Sequence, residues 1–144
     1  MRRTLLLVLL GFVALTSVAG GSVIVAATLL GPDRLGIPPE MTLPPDLLQG
    51  SPFDTYLIPG LLLSVVVGGI HVAGLILLVR RHPLAPLACT AAGFSILIWI
   101  FVQTIFVPFS ILQAIYFGAG LAELGFLLLL LDLVPAGQPE AGGL

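Results

Sequence analysis

Four stretches of the chain are apolar for long enough to cross a lipid bilayer, which takes about 20 residues of helix. The first and third stretches contain no Asp, Glu, Lys, Arg or His, the second contains only His71, and the fourth contains only Glu123. This pattern predicts an all-α protein, a four-transmembrane-helix bundle that forms a single membrane domain over residues 1–144. The predicted spans are residues 5–30, 57–79, 84–107 and 111–131.

Residues 31–56 join the first two spans and contain six of the twelve prolines, so they cannot continue a helix. We expect a proline-rich loop that lies folded against the membrane surface or the helix ends, because it is too apolar for a free linker. Residues 132–144 are expected to form a tail. The apolar side chains of the loop include Met41, Leu43, Leu47, Leu48, Phe53 and Tyr56.

The arginines predict how the chain is oriented. One arginine pair precedes the first span and another separates the second span from the third, whereas the loop has one arginine beside four acidic residues. Positive charges favour the cytoplasmic side of a membrane. We therefore expect a multi-pass protein of the inner (plasma) membrane, with both termini cytoplasmic and the proline-rich loop extracytoplasmic. The two pairs are Arg2 with Arg3 and Arg80 with Arg81.

The first 20 residues also resemble a signal peptide, with a basic start, an apolar run and a candidate cleavage point after Ala19. However, the uncharged run continues to Leu30, which makes it longer than a signal sequence needs and sufficient to span with some tilt. We expect a retained helix, and N-terminal sequencing of the mature protein tests this expectation.

The composition agrees with a membrane protein, since 58% of the residues are hydrophobic and 8% are charged, against roughly 25% charged residues in soluble domains. The net charge of −2 gives no reason to expect a nucleic-acid partner. The single cysteine, Cys89, excludes an intrachain disulfide and a CxxC motif. Arginine without lysine, beside abundant Ala, Gly, Leu and Pro, suggests a bacterial genome rich in G+C.

Polar residues of the spans recur at one depth. Counted at about 1.5 Å per residue from the outer ends, Glu123 and His71 both lie about 20 Å down parallel helices. A charge at the bilayer centre costs about 2.5–3.5 kcal/mol, so we expect both side chains to face inward and to hydrogen-bond or share a proton. Glu123 is then either a proton or substrate site or a structural clasp between helices. The candidate intramembrane polar site comprises His71, Glu123, Ser95, Thr16 and Ser17.

A second polar group is predicted nearer the outside. Gln103 and Gln113 fall at depths of about 5 Å, and two aromatic side chains lie a turn further in. Ser110 and Gln113 also fit the S-x-x-Q capping box that opens a helix, so the third and fourth spans should form a tight hairpin. The candidate outer polar site comprises Gln103, Gln113, Tyr116 and Trp99.

Small residues and one proline carry structural predictions for the second and fourth spans. Small side chains let helices approach closely, and we expect these two spans to pack together or to face a common cavity. Pro59 is either the first helical residue of the second span or a kink in a helix that starts at Asp54. The candidate helix-packing residues are Gly68, Ala114, Gly118, Ala122 and Gly125.

The sequence identifies no metal site and leaves the cofactor unknown. A haem held by two histidines needs a partner for His71 at a suitable depth, and His82 lies at the membrane edge. His71 and Glu123 alone make a thin metal shell. The span hydroxyls lack the base and oxyanion donors of a serine nucleophile.

Three segments, "SPFDTYLIPGLLL", "WIFVQ" and "LQAIYFGAGLAEL", resemble a group of small uncharacterised bacterial four-helix integral membrane proteins. The resemblance covers about two thirds of the chain, implies the same architecture and brings no activity with it. Small multidrug transporters also have four helices, but their acidic residue lies in the first span, where this chain has none. The residues that carry the resemblance are Pro52, Phe53, Pro59, Gly60, Trp99, Gln103, Gln113 and Glu123.

Two functions follow as expectations. The first is an accessory or assembly subunit that packs against a larger membrane complex or against its own copies, because the chain is small and carries small-residue ridges. The alternative is a small transporter or ligand-binding membrane protein that uses the His71 and Glu123 layer. No catalytic motif is evident, so we expect no enzyme activity.

Overall fold

The computed structural model describes residues 1–133, and this part of the chain is helical with no strand. The predicted all-α class is confirmed, and so are four helices long and apolar enough to cross a membrane. The first begins three residues before the predicted span. Residues 134–144 of the predicted tail lie outside the described part. The four helices are α1 (Arg2–Leu30), α2 (Leu57–Val79), α3 (Ala85–Phe106) and α4 (Ile111–Leu130).

Helix α2 consists of two α-helical segments, Leu57–Leu61 and Gly68–Val79, joined by a π-helical stretch, Leu62–Val67. The helix begins at Leu57, so Pro59 is neither its first residue nor a kink in a helix from Asp54. The first intrahelical bond runs from the Gly60 N–H to the Tyr56 carbonyl. Pro59 is tolerated because the N–H groups of a first turn need no helical partner.

The helices pack in a ring. Helix α1 packs against α2 and α4, and α3 packs against the same two neighbours. The α3–α4 hairpin is therefore present, and the predicted capping box opens α4. Helices α2 and α4 do not pack closely side by side but face each other across the middle of the ring. Of the two predicted arrangements for these spans, the structure has the one in which they face a common interior.

The closest helix contact joins α1 and α2. A side chain at Gly21 would place its Cβ 2.5 Å from the Ser64 backbone nitrogen and 2.6 Å from the Gly60 carbonyl oxygen. Backbone atoms cannot move aside as a flexible side chain can, so only glycine fits at position 21. This contact fixes the relative depth of the two helices.

The N-terminal arginines join helix ends. The Arg2 guanidinium donates to the Leu129 carbonyl at 2.9 Å, and that of Arg3 donates to the Leu78 carbonyl at 2.9 Å. These carbonyls belong to the last turns of α4 and α2, which carry unpaired carbonyl groups and a partial negative charge. The start of α1 therefore lies beside the C-terminal ends of its two neighbours. We call the opposite end of the helices the outer end.

Residues 31–56 form three short 3-10 turns, Pro32–Leu35, Pro39–Met41 and Pro45–Leu48, each of which starts with a proline. The segment folds over the outer end of α1, and a groove of about 570 Å³ lies between them. The Tyr56 hydroxyl donates to the Pro44 carbonyl and ties the end of the segment to its middle.

Candidate functional site

His71 and Glu123 meet in the middle of the ring of helices. His71 lies on α2 and Glu123 on α4, and both side chains are inaccessible to solvent. The His71 Nε2 atom lies 3.2 Å from Glu123 Oε2, and His71 Nδ1 lies 2.7 Å from the Val67 carbonyl oxygen. Two long side chains thus bridge helices whose backbones lie too far apart to touch.

The carbonyl of Val67 restricts the protonation of this pair. A carbonyl only accepts, so His71 Nδ1 must carry the proton of that hydrogen bond. Nε2 then either donates to a carboxylate as part of an imidazolium or accepts from a protonated carboxyl group. Both assignments leave one proton shared between the two residues. Glu123 Oε1 is buried and has no partner among the described residues, so the pair can link two helices and hold one proton.

The remaining residues of the predicted inner layer make no hydrogen bond to the pair. The Thr16 hydroxyl donates to the Phe12 carbonyl at 2.8 Å, and the Ser95 hydroxyl donates to the Ala92 carbonyl at 2.8 Å, so each is satisfied within its own helix. Ser17 is buried but lines a different space, which Thr16 also lines.

For Thr16 and Ser17 the reason for this difference is the position of α1. Gly21 of α1 lies level with residues 60–64 of α2. Helix α1 therefore extends beyond the start of α2 by about 3–9 Å at the outer end, at about 1.5 Å per residue. Depths counted from the end of α1 placed Thr16 and Ser17 too far inside.

A cavity of about 230 Å³ lies between the helices at the outer end. The turn between α3 and α4 contributes Val107 and Ser110 to its wall. All four residues of the predicted outer polar site line it, so the structure brings them together. The polar and aromatic lining residues are Thr16, Ser17, Trp99, Gln103, Ser110, Gln113 and Tyr116.

Gln113 is almost fully buried in this wall, with 4% of its surface exposed. Its Oε1 atom accepts a hydrogen bond from the Ser110 backbone N–H at 3.0 Å. The opposite amide orientation would set an NH₂ group against that N–H, so the network fixes which atom is oxygen. Its Nε2 atom is buried without a partner among residues 1–133. Gln113, which lines the cavity, therefore carries a hydrogen-bond donor that the described residues do not use.

An apolar layer separates the cavity from the His71 and Glu123 pair. The cavity reaches Leu63 on α2, which is eight residues from His71, or about 12 Å along the helix. Buried side chains of Val67, Ile96 and Ala119 pack together between these levels. The predicted inner and outer sites are thus two distinct places, and the cavity ends before it reaches the pair.

The predicted helix-packing residues divide into two groups. Gly68 lies at a close contact, because a Cβ there would sit 2.6 Å from Val18 Cγ2. A Cβ added at Gly118 or Gly125 would have no other described part of the chain within 4 Å, and Ala114 is exposed. The ridge on α4 therefore faces away from the other described helices. Close contacts instead use glycines absent from the prediction, namely Gly21, Gly60, Gly93 and Gly120.

No three His, Cys, Asp or Glu side chains in the described range come together in a way that could hold a metal ion. Compared with models of protein families, with curated proteins and with solved structures, the chain matches none. The resemblance to small bacterial four-helix membrane proteins therefore stays a prediction, and the function has to be argued from the site.

Proposed function

We propose that this chain is an integral membrane protein that binds a small molecule in the outer cavity. The observation that carries the proposal is the Gln113 amide, which lines the cavity and whose Nε2 is buried without a partner among the described residues. An unpaired buried donor costs about 1–3 kcal/mol. A ligand that accepts this hydrogen bond would remove the cost. Four apolar helices support the membrane assignment.

In this proposal the four helices cross the bilayer as one bundle, with both termini cytoplasmic and residues 31–56 outside. Large apolar side chains face outward along the helices, such as Leu15 and Phe101 at 72% and 67% exposure, and a bilayer would cover them. The contact between Arg3 and Leu78 puts the start of α1 beside the end of α2, so the arginines that begin α1 and those that follow α2 lie on one side.

Cysteine labelling tests this topology. In a Cys89→Ala background, a cysteine introduced at Ser51 should react with a membrane-impermeant maleimide added to intact cells. A cysteine introduced at His82 should react only after the cells are opened. The reverse pattern would contradict the orientation, and labelling of both sites from outside would contradict the four crossings.

Small-molecule analysis tests the binding proposal. The protein is extracted from its native membranes into nanodiscs, and the molecules it retains are identified by mass spectrometry. We expect a retained small molecule in the wild type and its loss in Gln113→Leu. Gln49→Leu, in the loop, is the matched control and should keep it. Identical small-molecule content in all three proteins would refute the proposal.

An accessory or assembly subunit is the second candidate, and the outward-facing glycines favour it. Glycine weakens a helix by roughly 0.5–1 kcal/mol relative to alanine, yet Gly118 and Gly125 serve no contact within the described chain. A helix of a partner or of a second copy could approach closely there. If so, Gly118→Leu should dissociate a complex that is stable in mild detergent, while Gly69→Leu, also open on α2, should not. A wild-type protein that runs as a monomer without co-purifying protein would contradict this role.

Transport through the bundle is less well supported than binding. The cavity stops at a layer of packed apolar side chains, and His71 and Glu123 lie beyond it. The geometry therefore supports a binding site with one entrance.

A further inference from the structure

The lining of the outer cavity restricts the charge of its ligand. No Asp, Glu, Arg, Lys or His side chain of residues 1–133 lines the cavity. An ion that left water for this space would lose its hydration without gaining a counter-charge, which is costly. The cavity therefore suits an uncharged molecule.

The hydrogen bonds already made in the wall restrict the polarity of the ligand. Gln113 Oε1 is occupied by the Ser110 N–H, so the Gln113 side chain can offer its NH₂ group only. The Thr16 hydroxyl uses its proton on the Phe12 carbonyl. The polar atom that a ligand presents to Gln113 must be an acceptor, such as a carbonyl oxygen.

The aromatic side chains and the volume restrict the shape. Trp99 and Tyr116 both line the cavity. Phe12 stacks on the Tyr116 ring, with 5.7 Å between ring centroids and 16° between their planes, and so holds that ring in place. A volume of about 230 Å³ corresponds to about eight water molecules at about 30 Å³ each. This is room for one substituted ring, which can lie against the aromatic side chains.

We infer that the outer cavity takes an uncharged, flat carbonyl compound about the size of one substituted ring, whose oxygen accepts a hydrogen bond from Gln113 Nε2 while its ring contacts Trp99 and Tyr116. This inference rests on the proposed function of the cavity as a binding site. It adds the chemical class of the ligand and names Gln113 as the residue that selects it.

Trp99 is the single tryptophan of the chain, so its fluorescence reports on the cavity directly. The probe is tetramethyl-p-benzoquinone, titrated into the full-length protein in nanodiscs. Tetramethylbenzene has the same outline without the oxygens, and the tetramethylbenzoate anion adds a charge. We expect saturable quenching by the quinone, and weak competition from both analogues.

Two variants distinguish the loss of the hydrogen bond to the ligand from damage to the fold. Gln113→Leu removes the donor and one half of the capping box. Gln113→Glu keeps an oxygen for the Ser110 N–H and, when its carboxyl group is ionised, offers the ligand no donor. Both should weaken quinone binding about two- to tenfold, since a hydrogen bond contributes about 0.5–1.5 kcal/mol and 1.4 kcal/mol is a factor of ten. Gln49→Leu should leave the affinity unchanged.

The outcomes distinguish this inference from the proposal beneath it. Equal affinity for tetramethylbenzene, tighter binding of the anion, or unchanged quinone affinity in both Gln113 variants would overturn the ligand class. If native membranes nevertheless supply a molecule that the wild type retains and Gln113→Leu loses, the binding function stands with a different class of ligand. If neither the quinone nor any native molecule binds, both proposals fail.

Discussion

The hydrogen bond between His71 and Glu123 predicts a particular set of stability changes. In His71→Leu the Glu123 carboxyl group has neither oxygen paired, because Oε1 already lacks a partner and Oε2 is held by His71. Leaving a buried polar group unpaired costs about 1–3 kcal/mol, so we expect the free energy of unfolding to fall by about 2 kcal/mol. Glu123→Leu leaves His71 Nε2 unpaired and should cost a similar amount.

The double variant should recover most of this loss. Replacing both partners by apolar groups removes the unpaired atoms, and such exchanges are close to neutral. We expect His71→Leu with Glu123→Leu to lie within about 1 kcal/mol of the wild type. With about 2 kcal/mol lost in each single variant, the coupling energy should be about 3–4 kcal/mol, which is above the largest values of about 1.7 kcal/mol measured between transmembrane helices.

Glu123→Gln tests what kind of bond joins the pair. The glutamine NH₂ group can donate to His71 Nε2 while Nδ1 still donates to the Val67 carbonyl. We expect a loss of about 0.6 kcal/mol or less, the average for an interhelical hydrogen bond.

Reversible unfolding in mixed micelles, followed by circular dichroism, measures all four variants. Additive losses in the double variant would refute the direct bond. A loss above about 3 kcal/mol in Glu123→Gln would show a buried ion pair instead.

Three further predictions concern the helices and the loop. Gly21→Ala should lower the free energy of unfolding by more than about 1 kcal/mol, because its Cβ meets the backbone of α2, while Gly20→Ala, which meets nothing within 4 Å, should not. Ser110→Ala should cost about 1 kcal/mol by removing one half of the capping box, as measured in the same assay. Burial raises the pKa of the Tyr56 phenol above 10.0, and the Asp46 carboxylate raises it further. Unfolded chains then ionise first, so this contribution to stability is complete below pH 10 and is lost as the pH rises through the raised pKa. Phenolate absorbance, compared with Tyr56→Phe, should show this and a lower pKa in Asp46→Asn.

The spans and the contact between His71 and Glu123 could be anticipated for physical reasons. The length of an apolar run is a local property, so a span can be predicted without knowing how the helices pack. Helices α2 and α4 run in the same direction, so counting residues from their outer ends gives comparable depths for His71 and Glu123. Inward placement then follows from the cost of exposing a carboxyl group to lipid.

The rotation and relative depth of the helices could not be anticipated in the same way. In a soluble protein, alternation between polar and apolar faces shows which side of a helix is buried. Here both faces are apolar, so the sequence does not show that Gly120 faces α3 while Gly118 faces outward. Helix α1 is offset along its axis relative to α2, and this offset places Ser17 at the cavity. The offset depends on the contact at Gly21. The π-helical stretch Leu62–Val67 has no evident local signal.

The diagonal link between α2 and α4 also has a consequence for biogenesis. Glu123 is 52 residues downstream of His71, and ribosomes add about 5–20 residues per second. For about 3–10 s, therefore, the His71 imidazole has been synthesised and Glu123 has not. In chains that stop before the last helix, we expect the His71 imidazole to stay without its Glu123 partner. This would mark incomplete translation products for removal by membrane proteases.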